Sequence, residues 1–414
     1  MDPLPDGRLC NLARAHSVLD RLGYDALIAL QPHHVLYLTN HAPRTMNVRW
    51  DVGYAAVLPR DPEKPTGLVV QALELLFLAG RKLPVDIVET YLAPMPDASP
   101  EQDAGVAFPG LRIRPGVPLT AVIEEKIEIS RRIGARAAST AAHALGRLVR
   151  AAGLESARVV ADDARAPSWL DEAGLKSIRC VYDPGVFKEI RVVKSAAEIE
   201  RLRASARANE NACRAMAARA TPGMTAQELE REFVIECARA GSWAAFLVSD
   251  LGDLAHGRIV PGEPLMLDAL SSREGYYGDF GRTLVLGDVS PELARRAAGL
   301  QAAWRNARTA IRPGMDYEGL KLAAIEGARS ADFPECEPPV PHCLGLQHTD
   351  DPVRPGLHTG MNPNRTLEPG MVLNLDMPFI EWGWGSLHRE DTLLVTETGC
   401  ELLTRDDDTL IVAG

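Results

Sequence analysis

Two rhythms of apolar and polar positions divide the chain. Apolar residues recur at helical spacing over residues 9–22, and Gly23 closes that run ahead of 26–30, an apolar stretch of strand length. Residues 35–38, 53–58 and 66–71 read as further strands, followed by helical runs over 121–129 and 138–152 and a strand through Val159 and Val160. This alternation predicts an α/β domain over residues 1–184, which the chain leaves through the turn cluster Tyr182, Asp183, Pro184 and Gly185. The second rhythm starts with Ser195, followed three residues later by Glu198 and a long amphipathic run, so the spacing predicts a capped helix over 195–218. Thr225 and Glu228 repeat the signal over 225–241. Beyond Pro261, short strand-like segments punctuated by Gly and Pro are interrupted by helices over 291–310 and 317–330, which makes residues 185–414 a second, α+β domain. The two parts do not read as copies of each other.

Composition supports two ordinary cores. The 414 residues are 46% hydrophobic and 24% charged, a globular balance with chain enough for more than one domain. A net charge of −11 opposes binding to a phosphate backbone, so no nucleic-acid partner is expected. No apolar run reaches the roughly 18–20 residues of a bilayer crossing, and Asp2, Asp6 and Arg8 interrupt the start where a signal peptide needs an apolar core. No membrane association and a cytoplasmic location are therefore expected. Cys10, Cys180, Cys213, Cys237, Cys336, Cys343 and Cys400 are scattered without a C-x-x-C pair and read as small buried apolar groups.

The chemistry concentrates in two acidic hairpins. In LMLDALSSREGYYGDFGRTLVLG (265–287), Asp268 and Asp279 lie in β-prone runs around a turn-like centre. A symmetric hairpin with its tip at Arg273 and Glu274 sets the two aspartates opposite each other, with Cβ atoms about 5 Å apart. Half-buried carboxylates at that distance repel unless a cation lies between them or one takes a proton. In LNLDMPFIEWGWGSLHREDTLLV (373–395), Asp376 and Glu390 are symmetric about Gly383 and would face inward in the same way. His342, in PHCLGLQH, supplies an imidazole donor between the hairpins. Three aspartates, one glutamate and one histidine could hold two divalent ions about 3.5–4 Å apart, an arrangement that activates a bridging water and polarises a carbonyl.

The order Asp268, Asp279, His342, Asp376, Glu390 resembles the metal-ligand series of the pita-bread metallopeptidases: methionine aminopeptidase, aminopeptidase P, prolidase and their non-peptidase relative creatinase. GYDALIALQPHHVLYLTN (23–40) resembles the creatinase-type N-terminal domain, and EIRVVKSAAEIERLRAS (189–205) the entry to the catalytic domain. DFGRT (279–283) is similar to the family's D-x-T-R-T, and LEPGMVLNLD (367–376) to its L-x-P-G-M-x-x-x-x-E. The resemblance implies an α+β chain, with a C-terminal pita-bread (creatinase/aminopeptidase) domain over 185–414 preceded by an α/β creatinase-type N-terminal domain over 1–184. It also implies two divalent metal ions, manganese first, with zinc, cobalt or iron as alternatives.

The implied function is metal-dependent hydrolysis of an amide bond in a small peptide or peptide-like substrate by a metal-activated bridging water. An Xaa-Pro dipeptidase or aminopeptidase is one form of it. Asp376 would also shuttle a proton, His256 and His348 would stabilise the tetrahedral intermediate, and His388 and Arg282 are the substrate-contact candidates. A homodimer is implied, the N-terminal domain of one subunit bordering the other's site and restricting substrates to dipeptide size. His33 and His34 read as structural.

Several positions depart from the family pattern. Asp376 stands where the family has glutamate and is shorter by a carbon–carbon bond, roughly 1.5 Å. Gly281 replaces the usual threonine before Arg282, and Met377 the usual proline after the fourth ligand. His388 occupies a place where proline-specific relatives often have arginine, and Cys343 puts a sulfur beside His342, packing being preferred over ligation. The interval from His342 to His348 is one residue shorter than usual, which leaves the direction of His348 open. Two alternatives follow: a non-peptidase C–N hydrolase or lyase acting on a small metabolite, and a binding module without catalysis.

Overall fold

A computed structural model of the chain describes residues 7–43, 53–91, 113–134, 137–249, 257–352 and 364–414. These fall into two compact units, one ending at Ile190 and the other starting at Arg191. Among the described residues, no helix is long and apolar enough to cross a membrane.

The first unit contains α1 (Leu12–Leu22), β1 (Ala26–Ala29), α2 (Pro32–Thr39), β2 (Ala55–Pro59), β3 (Gly67–Gln71), α3 (Leu75–Leu78) and β4 (Ile87–Tyr91). After these come α4 (Ala121–Gly134), α5 (Ala141–Ala151), β5 (Arg158–Ala161), α6 (Ala166–Glu172), β6 (Arg179–Tyr182) and α7 (Gly185–Arg191), which runs to the boundary. The strands form one mixed sheet in the order β4-β3-β2-β1-β5-β6. Every residue of β1 and β2 is buried, which is why both read as continuous apolar runs without alternation. The strand expected over 35–38 is instead part of α2. Pro32 opens that helix, Asn40 closes it in the left-handed conformation at φ 56°, and His34 through Thr39 are all buried. An apolar run buried on every side carries no period, so capping residues alone distinguish helix from strand there. His34 is structural: its Nδ1 lies 2.7 Å from Asp162 Oδ2, and its ring stacks on Phe187.

The second unit comprises α8 (Ala196–Ala217), α9 (Ala226–Arg239), β7 (Trp243–Val248), β8 (Leu265–Arg273), β9 (Tyr276–Leu286), α10 (Pro291–Ala310) and α11 (Tyr317–Ser330). It ends with β10 (Val340–Cys343), β11 (Val372–Glu381), β12 (Gly385–Val395), β13 (Cys400–Leu402) and β14 (Leu410–Ala413). Ser195 and Glu198 form both bonds of a capping box on α8, and Thr225 and Glu228 do the same for α9. The central sheet runs β10-β11-β12-β9-β8-β7, with β13 beside β12 and β14 beside β9.

One face of this sheet is covered by helices. Leu265, Leu267 and Ala269 of β8 and Phe280 and Leu284 of β9 pack with Met216 of α8 and Phe233 of α9. Leu373, Leu375 and Met377 of β11 and Leu387 and Leu393 of β12 pack with Trp304 of α10 and Leu320 of α11. Strand alternation sends Asp268, Asp279, Asp376 and Glu390 to the opposite face.

The β11–β12 hairpin has the expected register, with Asp376 directly opposite Glu390. The β8–β9 hairpin does not: Asp268 pairs with Gly281 and Asp279 with Leu270. Its two-residue loop is Glu274-Gly275, at φ 54° and 87°, the doubly positive backbone of a type I′ turn. Glycine takes the second of those places most readily, which moves the tip one residue beyond Arg273 and Glu274. The shift changes the pairing by two positions, so both aspartates keep the same face and become diagonal neighbours.

Candidate metal centre

A single row of paired residues crosses the open face of the sheet. Asp268 pairs with Gly281, Gly281 with Glu390, Glu390 with Asp376, and Asp376 with Val340. Directly paired residues share a face, so Asp268, Glu390 and Asp376 project together. Asp279, His388 and His342 each lie two residues along from a member of this row, Gly281, Glu390 and Val340 respectively, and so point the same way. The structure thus brings together all five residues of the predicted series although they are distant in sequence.

The distances describe a closely coupled cluster. His342 Nε2 lies 3.5 Å from Glu390 Oε1 and 3.8 Å from Asp279 Oδ2. His388 Nε2 lies 2.8 Å from Asp376 Oδ1 and 3.8 Å from Glu390 Oε2. His348, on the segment after β10, does point inward: its Nε2 stands 3.1 Å from Asp279 Oδ2, and its side chain is 42% exposed at the mouth of the cluster. Three sets of donor atoms lie within 4.8 Å of one another: Asp279, His342 and His348; Asp268, His388 and Glu390; and His342, Asp376 and Glu390.

Electrostatically, the cluster needs positive charge. Burial, with Glu390 adding, pushes the Asp268 carboxyl up to about 7. Burial also pushes Glu390 up to about 7, with Asp279 and Asp376 adding. Burial resists charge on the two inner histidines, but contact with the carboxylates prevails and raises both to about 10, through Glu390 and Asp279 for His342 and chiefly through Asp376 for His388. Protons or cations must therefore offset the crowded acids.

Asp279 fits a cation most clearly. It is fully buried, and among the described residues neither carboxylate oxygen has a partner in hydrogen-bond geometry. A buried, unsatisfied carboxylate is costly unless a cation completes it. The donor set of hard carboxylates with imidazoles suits Mn, Co, Fe or Zn.

Other predicted residues have different places. Arg282 is not brought to the cluster. Its side chain lies on the helix-covered face, fully buried, with Nη2 2.8 Å from both Asp391 Oδ1 and Asp407 Oδ1. Its Nη1 donates to the carbonyls of Gly281 and Glu390, so it braces the strands that carry the acids rather than reaching a substrate. His388 is only 1% exposed and stands inside the cluster rather than on its wall. Cys343 alternates to the opposite face from His342, joins the apolar core and lies 3.4 Å from the Tyr317 hydroxyl. His256 lies outside the described residues.

Two contributors, Asn374 and Thr283, went unread in the sequence, and a third, Gly281, stood out there only as a departure from the family pattern. Asn374 Nδ2 donates to Glu390 Oε1 at 2.9 Å, and Thr283 Oγ1 accepts from the His388 amide at 2.8 Å. Gly281 makes room for the His388 ring, because a Cβ there would come within 2.5 Å of two ring atoms. Asn374 could have been found, since it precedes Asp376 by two residues on one strand. The other two depend on pairing between β9 and β12, which no local pattern reveals.

Comparison with known proteins bears on the family and the fold. Residues 200–397 match metallopeptidase family M24. A probable dipeptidase PepE of Mycobacterium tuberculosis is 26% identical over 272 residues, 63% of this chain and 71% of that protein. An Xaa-Pro dipeptidase of Pyrococcus furiosus is 23% identical over 255 residues, 59% of this chain and 71% of that protein. The crystal structure of the prolidase from Pyrococcus horikoshii superposes with a TM-score of 0.65 at 18% identity, covering 97% of this chain and 99% of that one. The full-length match gives the chain an N-terminal α/β domain and a C-terminal pita-bread domain of the prolidase and aminopeptidase P type. That second domain is the part of the chain that matches metallopeptidase family M24.

Proposed function

We propose that this chain is a dinuclear metal-dependent peptidase that cleaves dipeptide-sized substrates, with an Xaa-Pro bond as the leading candidate. The observation that carries the reading is Asp279, a buried carboxylate whose two oxygens have no hydrogen bond among the described residues, set among three further acids and three histidines. Asp268, Asp279, His342, Asp376 and Glu390 would hold the ions, for which manganese is our first assignment. Divalent ions bound there acidify a water and polarise a carbonyl.

The chain's own groups do the rest. His348, half-exposed beside Asp279, donates from its imidazole to the developing charge on the substrate carbonyl. Asp376, with its side chain 24% exposed and bonded to His388, takes and returns a proton. Asn374, fully buried, fixes the Glu390 carboxylate by donating to its Oε1. A role for His256, a homodimer and a cytoplasmic location belong to the same reading.

The test is turnover of a panel of Xaa-Pro dipeptides, other dipeptides and small non-peptide amides by the manganese-loaded full chain. Turnover of dipeptides, Xaa-Pro first, is the expected result. Turnover confined to the non-peptide amides would replace this reading with a C–N hydrolase, for which the Asp376–His388 pairing would be the structural reason.

A further inference from the structure

We propose that His388 is itself a metal ligand, a second imidazole donor that completes the ion held by Asp268 and Glu390, while His342 serves the ion held by Asp279 and Glu390. This rests on the dinuclear reading above and deepens it, because it gives each ion one nitrogen donor.

The argument starts from the orientation of the ring. His388 Nδ1 lies 3.2 Å from the carbonyl oxygen of Leu267. A carbonyl only accepts, so Nδ1 carries the hydrogen and Nε2 is turned into the cluster. His342 is arranged alike, with Nδ1 against the Cys343 carbonyl and Nε2 toward the acids. An imidazole tethered by one ring nitrogen to a backbone carbonyl, with the other presented to carboxylates, is how metal-binding histidines are held. His388 Nε2, a carboxylate oxygen of Asp268 and one of Glu390 lie within 4.8 Å of one another, close enough to share an ion.

The second, independent observation is the space provided for the ring. Gly281 has no side chain where one would come within 2.5 Å of His388 Cε1 and Nδ1. Thr283 holds the backbone of His388 from the neighbouring strand. The short side chain of Asp376 leaves its Oδ1 2.8 Å from Nε2 rather than overlapping the ring. Gly281, Asp376 and His388 are three of the departures from the family pattern noted in the sequence, and they adjoin one another here. Together they exchange carboxylate reach for an imidazole in the same place.

The experiment strips the purified full chain with chelator, titrates it with Co²⁺, and follows both stoichiometry and the visible absorption of the bound ion. Wild type is expected to bind two Co²⁺ per chain. His388→Ala and Gly281→Thr are each expected to keep one at wild-type affinity and to weaken the other at least about tenfold, with a matching change in the absorption band. Circular dichroism of the stripped variants separates ligand loss from misfolding, and if one variant is unfolded the other carries the comparison. Two Co²⁺ bound at wild-type affinity by a folded variant would overturn the proposal. So would a wild type that binds one ion and a His388→Ala variant that binds it equally well, since the imidazole would then replace a cation. A wild type that binds none would instead overturn the dinuclear reading itself.

Discussion

Asp279 and His348 meet at the mouth of the cluster and divide its work between holding and donating. Asp279 is fully buried, while His348 is partly open to solvent and bonded through Nδ1 to Thr349. His348→Ala should therefore lower kcat by about 10²–10⁴ while leaving metal content as in wild type, which steady-state kinetics and metal analysis on one preparation would check. A matching loss of metal would make His348 a ligand instead. At this scale the acids and His342 were legible because each sits in a β-prone run, where alternation assigns it a face. The place of His388 was not legible, since its environment comes from Leu267, Thr283 and Gly281, more than a hundred residues earlier in the chain.

Elements were read well where they carry end signals and poorly where they do not. The capping boxes at Ser195 and Thr225 announce α8 and α9, whereas α2, buried all round, looked like a strand. The β8–β9 register lies two positions from the symmetric pairing of the aspartates because the Glu274-Gly275 dipeptide, with both φ angles positive, sets the turn.

The start of α8 also makes a pH prediction. Burial pushes the Glu198 carboxyl up to about 8 despite Lys194 nearby, and its oxygens accept from the Ser195 amide and the Tyr276 hydroxyl. An acid raised on folding binds its proton more tightly in the native state. Its contribution is thus complete below the ordinary glutamate range and is lost as pH rises through about 8. Urea denaturation at pH 5 and pH 9 should show wild type losing stability relative to Glu198→Gln as pH increases. An equal pH dependence in the two proteins would remove Glu198 as a source.

Across the whole second unit, buried charge is arranged in separate layers on the two faces of one sheet. On the helix-covered face, Asp391 is shared by Arg282 and Arg389, each 2.8 Å away, and the charges are offset within the protein. On the open face the acids outnumber their partners, and the Asp279 carboxylate is left without a hydrogen bond among the described residues. That asymmetry implies that cations stabilise the fold by linkage, by about 2.7 kcal/mol for each site at a free concentration a hundred times its Kd. Calorimetry should find a higher Tm with Mn²⁺ than after stripping, and a smaller shift in Asp279→Asn, which keeps the site of Asp268, His388 and Glu390. Equal Tm values for loaded and stripped wild type would count against it. The two-domain plan and the acidic series were both legible along the chain, whereas the partition of charge between faces required the tertiary register.

The most direct measurement is an anomalous-difference map from crystals of the full chain grown with Mn²⁺. The account predicts two peaks about 3.5–4 Å apart, one beside Asp279 and His342 and the other beside Asp268 and His388, with Glu390 between them. A map without peaks there, showing these side chains bonded only to one another and to water, would contradict it.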